Sequence, residues 1–300
     1  MVRVCFVFMV AVAALWCSGE PMAGTRIVHP VDGAVMVYVP SGTFTMGLSR
    51  EEGEVVAKLL GFESGTTLWV AEAWPQRRVE VGGFFIDRCE VTVGQWQRYL
   101  EATGGEQRPW ETVRHFGKPD AVNLPAGEIA WRDAISYADW AGKALPTEAQ
   151  WEKAARGEDG RLFPWGNDAP TEAHGHWKGR LYVKVGSFPL GASPYGALDM
   201  LGNQYEWTIE RKRLYPDNPL RDDEPNSKMI KEINDGRDVC LRGGSWYHGQ
   251  VGFYAAKRFG FGPEETHYHV GFRTVWVPAE GYFESAEFAE AKAKAAALSD

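Results

Sequence analysis

The sequence predicts an α+β fold with few helices, short strands and long loops. Helix-like patterns lie mostly in the first half of the chain, whereas short apolar segments separated by Gly and Pro follow Gly160. The 300 residues include 34 Gly and 13 Trp, a composition that suits a loop-rich fold better than a helical bundle. Helices and strands that are segregated along the chain are typical of α+β architecture.

The first strands are predicted from apolar patterns. Residues 35–47 alternate apolar and small residues, which predicts a strand and a turn. Residues 48–80 form a charged, helix-like insertion followed by a loop that contains Trp74 and Pro75. Residues 82–91 are apolar again and predict a second strand.

Three helices are predicted between residues 92 and 157. Two of them begin with a Thr that is followed three residues later by Gln, the spacing of a capping box: Thr92 with Gln95, and Thr147 with Gln150. The other helix covers about residues 130–141, where apolar residues recur at helical spacing. Each helix is expected to end at a glycine: Gly104, Gly142 and Gly157.

The N-terminus predicts export. Arg3 precedes an apolar run over residues 4–16, which is typical of a secretory signal peptide, here assigned to residues 1–23. The run is shorter than the roughly 20 residues that a membrane span needs. We therefore expect a periplasmic, cell-envelope or extracellular protein with no transmembrane span in the mature chain. A lipid anchor at Cys17 is the alternative.

The C-terminus predicts a helical tail over residues 278–300. This segment is Ala-rich and charged, and Glu290 and Lys294 have the spacing of a helical ion pair. We expect a loosely docked helix.

Charge and cysteine content limit the partners and the redox chemistry. The net charge is −8, and no stripe of Lys and Arg interrupts it, which argues against binding to nucleic acid. Cys89 and Cys240 remain after the signal region. In an oxidising compartment they form a disulfide or stay as two separately buried thiols, and both possibilities are open.

Seven short blocks occur in one order between about residues 31 and 277. They are VPSGTFTMG at 39–47, FFIDRCEVT at 84–92, LPTEAQWE at 145–152, FPWG at 163–166, GNQYEWT at 202–208, LRGGSWYH at 241–248 and GFR at 271–273. This ordered set resembles the formylglycine-generating enzyme family, the sulfatase-modifying factor domain. The resemblance implies one domain over residues 31–277 with a C-type-lectin-like fold.

The resemblance also implies where the chemistry of the family is lost. The enzymes of this family bind copper with two cysteines that follow the Arg-Gly-Gly-Ser motif, and thiolates suit Cu(I) because both are soft. Here His248 and Phe253 occupy those two positions. We therefore expect neither copper nor the formylglycine-generating oxidase activity.

Four residues are predicted to surround the cleft of such a fold: Tyr205, Ser245, His248 and His269. Two histidines beside a lost copper site suggest a different metal or a general base, and His267 would face the same way as His269. The alternative, which we favour from sequence, is that these are separately hydrogen-bonded surface histidines, because no HxxxH spacing is present.

A calcium site is implied by the resemblance at residues 199–206. The side chains of Asp199 and Glu206 and the backbone carbonyls of Gly202 and Gln204 would hold the ion, because Ca²⁺ prefers oxygen ligands. The alternative is a capped turn without an ion. Two arginines, Arg242 and Arg273, resemble structural arginines of the family, and Glu148 and Glu152 are their expected partners.

These observations favour a calcium-stabilised binding or structural module that has lost the copper pair, with an unknown protein or carbohydrate as its ligand. The alternative is an enzyme of altered, metal- or histidine-dependent chemistry in the same cleft. Relatives without the cysteine pair include both lectin-like binding proteins and enzymes, so the resemblance leaves the choice open.

Overall fold

The α+β fold is confirmed by a computed structural model, which describes residues 19–62, 70–105, 119–222 and 227–298. Most of the predicted signal peptide, including Cys17, lies outside the described residues. The described part contains ten short strands: β1 Arg26–Val28, β2 Val35–Val39, β3 Gly42–Met46, β4 Arg77–Val81, β5 Phe84–Asp87, β6 Tyr205–Arg211, β7 Val239–Arg242, β8 Phe259–Phe261, β9 Val270–Gly271 and β10 Val275–Trp276. It also contains six helices: α1 Arg50–Leu59, α2 Val93–Thr103, α3 Trp131–Ala141, α4 Glu148–Arg156, α5 Ser227–Asn234 and α6 Ala286–Ala296.

The described strands form three small sheets. One has the order β1-β2-β5-β10, one pairs β3 with β4, and one has the order β8-β7-β6-β9. In the last sheet β6 is antiparallel to β7 and parallel to β9, so the ends of β7 and β9 both lie beside β6. This sheet carries the candidate site.

The predicted helices are confirmed, and their ends follow from local hydrogen bonding. Both capping boxes are present, because the side chains of Thr92 and Thr147 accept from the backbone of the Gln three residues on. Gly104 and Gly142 have φ of 67° and 70° and end α2 and α3 in the left-handed region that favours glycine. Helix α1, whose pattern predicted only a helix-like insertion, begins with a third capping box at Ser49.

Two expectations about secondary structure were incomplete. Residues 35–47 form two strands, β2 and β3, because the chain breaks at Pro40 and enters a different sheet. Helix α5 was not predicted, and it lies between Gly160 and Trp276, where we expected only short strands and loops. Both remaining cysteines, Cys89 and Cys240, are free thiols, so the disulfide alternative is not realised.

No helix in the described ranges is long and apolar enough to cross a membrane.

The C-terminal helix α6 is firmly docked, which corrects the expectation of a loose tail. Phe288 and Ala291 are buried and join an apolar cluster with Ile27, Met36 and Phe85 of the first sheet. The helix thus covers strand β1, and its apolar residues belong to the folded domain.

Removing the Phe288 side chain tests this docking. We expect Phe288→Ala to lower the free energy of unfolding by about 3 kcal/mol, because a buried aromatic ring is replaced by a cavity. Glu290→Ala on the exposed side of the same helix removes only a solvent-exposed pair with Lys294 and is expected to leave the free energy of unfolding nearly unchanged. Urea unfolding measures both, and equal effects would show that α6 is not docked.

Candidate functional site

The Gly-Gly pair after β7 folds the following segment back on itself. Gly243 and Gly244 have φ of 92° and 73°, which favours glycine at both positions. A Cβ at Gly244 would lie 2.5 Å from the carbonyl oxygen of Gly252. The chain therefore closes a loop whose two ends touch, and this loop carries His248.

Strand β9 brings a second histidine to the same place. Val270 pairs with Tyr205 in the parallel β6–β9 ladder, and the backbone N–H of Tyr205 donates to the carbonyl of His269 at 2.9 Å. His269 thus lies directly beside the start of β6. Gly252 of the closed loop lies against the same tyrosine, because a Cβ at this position would be 3.0 Å from the Tyr205 hydroxyl oxygen.

Three of the four predicted cleft residues come together. The ring centres of His248 and His269 are 5.2 Å apart, and that of Tyr205 lies 5.4 Å from His248 and 6.4 Å from His269. Ser245, the fourth, is buried after the Gly-Gly turn, and its hydroxyl has no hydrogen-bond partner among the described residues.

The prediction that the histidines are separate, hydrogen-bonded surface residues was wrong for His248 and His269. It is confirmed for His267, whose Nε2 lies 3.2 Å from a carboxylate oxygen of Glu265 and whose side chain is 31% exposed. His269 is 4% exposed, and neither of its ring nitrogens has a partner in the described part of the chain. The same holds for Nδ1 of His248. Sequence reasoning failed here because the two residues are 21 positions apart and meet only through the β6–β9 pairing.

Two further rings complete the group: that of Tyr247, which was not predicted, and that of His267, which was expected to face the same way as His269. Tyr247 stacks on His269 with 4.9 Å between ring centres and is 55% exposed, so its outer surface faces solvent. His267 lies 5.4 Å from His269 and stacks on Phe261 at 3.9 Å. We call Tyr205, Tyr247, His248, His267 and His269 the histidine cluster.

The electrostatics of the cluster favour neutral histidines. Burial, together with the nearby His248 and His267, lowers the pKa of His269 to about 3. Burial and the charge of Lys257 also lower the pKa of His248. Neutral imidazoles can accept as well as donate hydrogen bonds. In the described residues, however, no three His, Cys, Asp or Glu side chains are arranged to hold a metal ion.

The loop of the predicted calcium site is tightly bent. Asp199 and Asn203 have φ of 54° and 58°, and Gly202 has φ of 87°. One carboxylate oxygen of Asp199 accepts from the backbone N–H of Gly186 at 2.5 Å, and burial raises the pKa of Asp199. Asn203 donates at 2.9 Å to Glu90, whose pKa is raised well above its usual range by burial and by the charges of Asp199 and Glu206.

Glu206, the second predicted calcium carboxylate, is already occupied. Nε and Nη2 of Arg273 donate to its two oxygens at 2.6 and 2.7 Å, and the indole N–H of Trp151 donates at 2.7 Å. All three side chains are fully buried. The carboxylate of Glu206 is therefore not free to bind a metal ion, and the predicted ligands in this arrangement do not fit calcium. Gln204, whose carbonyl was a predicted ligand, directs its side-chain amide to the carbonyl of Tyr268.

The arginine partners differ in part from those expected. Arg242 pairs with Glu152, as predicted. Glu148 also pairs with Arg242, with 3.7 Å between Nη1 and a carboxylate oxygen, as predicted. Two partners were not expected: Arg258 donates two hydrogen bonds to Glu148, at 2.7 and 2.8 Å, and Arg273 pairs with Glu206. The spacing along the chain could not reveal these partners, because each pair joins segments that are more than 60 residues apart.

Comparison with known proteins agrees with this architecture. Residues 25–278 match the model of the sulfatase-modifying factor enzyme 1-like domain. The chain is 28% identical over 265 residues to hercynine oxygenase of Mycolicibacterium smegmatis, and 30% identical over 240 residues to formylglycine-generating enzyme of Mus musculus. These matches cover 76% and 61% of this chain, but only 59% of each relative.

Two solved structures resemble the whole domain. PvdO from Pseudomonas aeruginosa superposes with a TM-score of 0.62 at 25% identity, over 85% of this chain and 99% of PvdO. Treponema denticola variable protein 1 has a TM-score of 0.58 at 16% identity, over 86% of this chain and all of the other. These likenesses confirm the predicted C-type-lectin-like, formylglycine-generating-enzyme-like fold.

The neutral state of His269 predicts acid sensitivity. Its pKa in the folded protein is about 3, below the value of about 6.5 expected in the unfolded chain. As the pH falls from 6.5 towards 3, the unfolded state binds a proton that the folded state does not, so the free energy of unfolding falls. We expect His269→Asn to lose less stability than the wild type between pH 7.5 and pH 4.5 in urea unfolding. Equal losses would contradict a buried neutral imidazole.

The Arg273–Glu206 pair predicts a large structural effect. We expect Arg273→Ala to lower the free energy of unfolding by about 3–5 kcal/mol, because it leaves a buried carboxylate without its partner. Arg132→Ala, which breaks a pair whose side chains are 71% and 67% exposed, serves as the control and is expected to cost at most about 1 kcal/mol.

The same variant tests the calcium prediction. If calcium chloride restores the melting temperature of Arg273→Ala but magnesium chloride does not, the loop at residues 199–206 takes calcium once Glu206 is released. We expect no such recovery of the melting temperature, since the partner of Glu206 in the folded protein is the guanidinium of Arg273.

Proposed function

Because this chain belongs to the sulfatase-modifying factor enzyme 1-like family, we propose that it is a binding module whose ligand is held at the histidine cluster. One observation carries the proposal: the ring centre of His248, the residue at the first copper position, lies 5.2 Å from that of His269. Both nitrogens of His269 and Nδ1 of His248 have no hydrogen-bond partner among the described residues. The cluster offers the hydrogen-bonding groups and ring faces that a recognition site needs. The two copper-binding cysteines are replaced by His248 and Phe253.

The second thiol position supports loss of the oxidase chemistry. Phe253 is fully buried, with its ring 4.1 Å from that of Trp177. It therefore serves as a packing residue of the core. Cys240, a thiol in β7, is buried, and burial raises its pKa above the usual range, which keeps it protonated and a poor copper ligand.

The pKa of His269 favours binding over general-base catalysis. A general base is most effective when its pKa lies near the operating pH. A histidine with a pKa of about 3 is a weak base at neutral pH, although it still accepts and donates hydrogen bonds. The exposed ring of Tyr247 adds a flat face on which a sugar ring or an aromatic side chain can stack. Carbohydrate or peptide is therefore the ligand class that we propose.

Export is also part of the proposal. Arg3 and the apolar run at residues 4–16 support a signal peptide, which would deliver the domain to the periplasm, the cell envelope or the outside of the cell.

A second candidate function is a metal-dependent enzyme. The spacing of the histidine rings favours it, because 5.2 and 5.4 Å between ring centres suit imidazoles that share one ion. Imidazole binds zinc, copper and iron well. Side-chain rotation would be required first, because the present arrangement holds no metal ion within the described residues. Metal analysis of untagged protein after dialysis separates the two candidates, since only the enzyme would retain a stoichiometric transition metal.

Arrays of glycans and peptides test the binding proposal. We expect the wild-type protein to retain a defined set of array members. Tyr247→Ala and the double variant His248→Ala/His269→Ala should bind them at least about fivefold more weakly, since an aromatic contact contributes about 1 kcal/mol. His176→Ala, a histidine outside the cluster, should bind like the wild type. Aldehyde formation from cysteine in a sulfatase-derived peptide with Cu(I) would contradict the proposal.

A further inference from the structure

An apolar cavity of about 160 Å³ lies beside the loop that carries His248. One wall is formed by residues of helix α1 together with Leu60, Phe62 and Val70, and the other by Val251 and Tyr254 at the far end of the closed loop. The lining residues are Val56, Ala57, Leu60, Phe62, Val70, Val251 and Tyr254. Among the residues that the structure describes here, only Tyr254 brings a polar side-chain atom.

The cavity is partly open to solvent, because Ala57, Phe62 and Val251 in its lining are only half-buried. Its apolar walls are incompletely packed, and unfilled apolar space forfeits packing contacts. Water does not fill such a void favourably, because it finds no hydrogen-bond partners on an apolar wall. An engineered apolar cavity of about 150 Å³ in another protein stays dry and binds benzene. The cavity therefore suits a small apolar group.

The position of the cavity links it to the histidine cluster. Val251 follows His248 by three residues, so their Cα atoms are at most about 11 Å apart. Between Val251 and Tyr254, Gly252 lies against the hydroxyl of Tyr205, which belongs to the cluster. The separation between His248 and Val251 is within the length of one small ligand.

We propose that this cavity binds a single aromatic ring or a branched alkyl group of about six carbon atoms, as the apolar end of the ligand. The proposal rests on the proposed function for the identity of the whole ligand. It favours a peptide or an acylated or aryl-substituted molecule over an unmodified sugar, because a bare sugar has no apolar group of this size.

Benzene is the probe that tests the cavity, with pyridine as the control of equal size. We expect saturating benzene to raise the melting temperature of the wild-type protein by roughly 2–4 °C. Pyridine should give a smaller shift, because its ring nitrogen would lose its hydrogen bonds to water. The absence of a shift with benzene would overturn the proposal.

Two substitutions on helix α1 locate the binding. Ala57→Phe places a ring in the cavity and should abolish the benzene shift. Val55→Phe is the matched control, since Val55 is 47% exposed on the same helix and should leave the shift unchanged. If Ala57→Phe does not fold, Val251→Phe fills the cavity from the opposite wall. A shift that persists in a folded cavity-filling variant would overturn the proposal.

The double variant His248→Ala/His269→Ala separates this proposal from the proposed function. It should keep the benzene shift, because neither histidine lines the cavity. If benzene raises the melting temperature but no array member binds, the cavity proposal is supported and the proposed function is contradicted. An array ligand that binds Ala57→Phe as tightly as the wild type would show that the cavity plays no part in recognition.

Discussion

The guanidinium of Arg273 is the interaction on which the arrangement of the site depends. Its five N–H groups donate to both oxygens of Glu206 and to the carbonyls of Asp87, Arg88 and Leu198. One side chain thus joins β6, the end of β5 and the loop before residue 199. Because every donor is satisfied and the pair is fully buried, the geometry is fixed by the need to avoid an unpaired charge.

A second set of buried pairs extends this framework to helix α4. Arg242 and Arg156 both contact Glu152, which also accepts from the backbone N–H of Gly47 at 2.7 Å. Arg242 lies opposite Glu206 in the β6–β7 ladder, so the two sets of pairs meet in one sheet. The strands that end at the histidine cluster are therefore anchored on the side away from it, and their loops are free to carry recognition residues.

Local sequence patterns predicted much of the fold. Some ion-pair partners and the contacts within the site were not predicted, because they depend on tertiary structure. Helix ends are set by hydrogen bonds within one turn, as at Thr92, Thr147 and Gly142. The spacing of residues along the chain was therefore enough to predict them. The partner of Arg273 depends on how three separate segments fold together. No local pattern indicated that Glu90 accepts a hydrogen bond from Asn203, which is 113 residues away along the chain. In the site, His248 and His269 were identified from their positions in the motifs. Their contact and the stacking of Tyr247 follow from the parallel β6–β9 pairing and the turn at Gly244, which no periodicity shows.

The contact between Gly244 and Gly252 has a consequence for which positions of the loop tolerate substitution. Its two ends meet backbone to backbone, so an exposed side chain between them, such as that of Tyr247, does not hold the loop closed. Ser245 and Trp246 are buried and belong to the support of the loop. The surface that the loop presents to solvent is thereby separated from the contacts that stabilise its path.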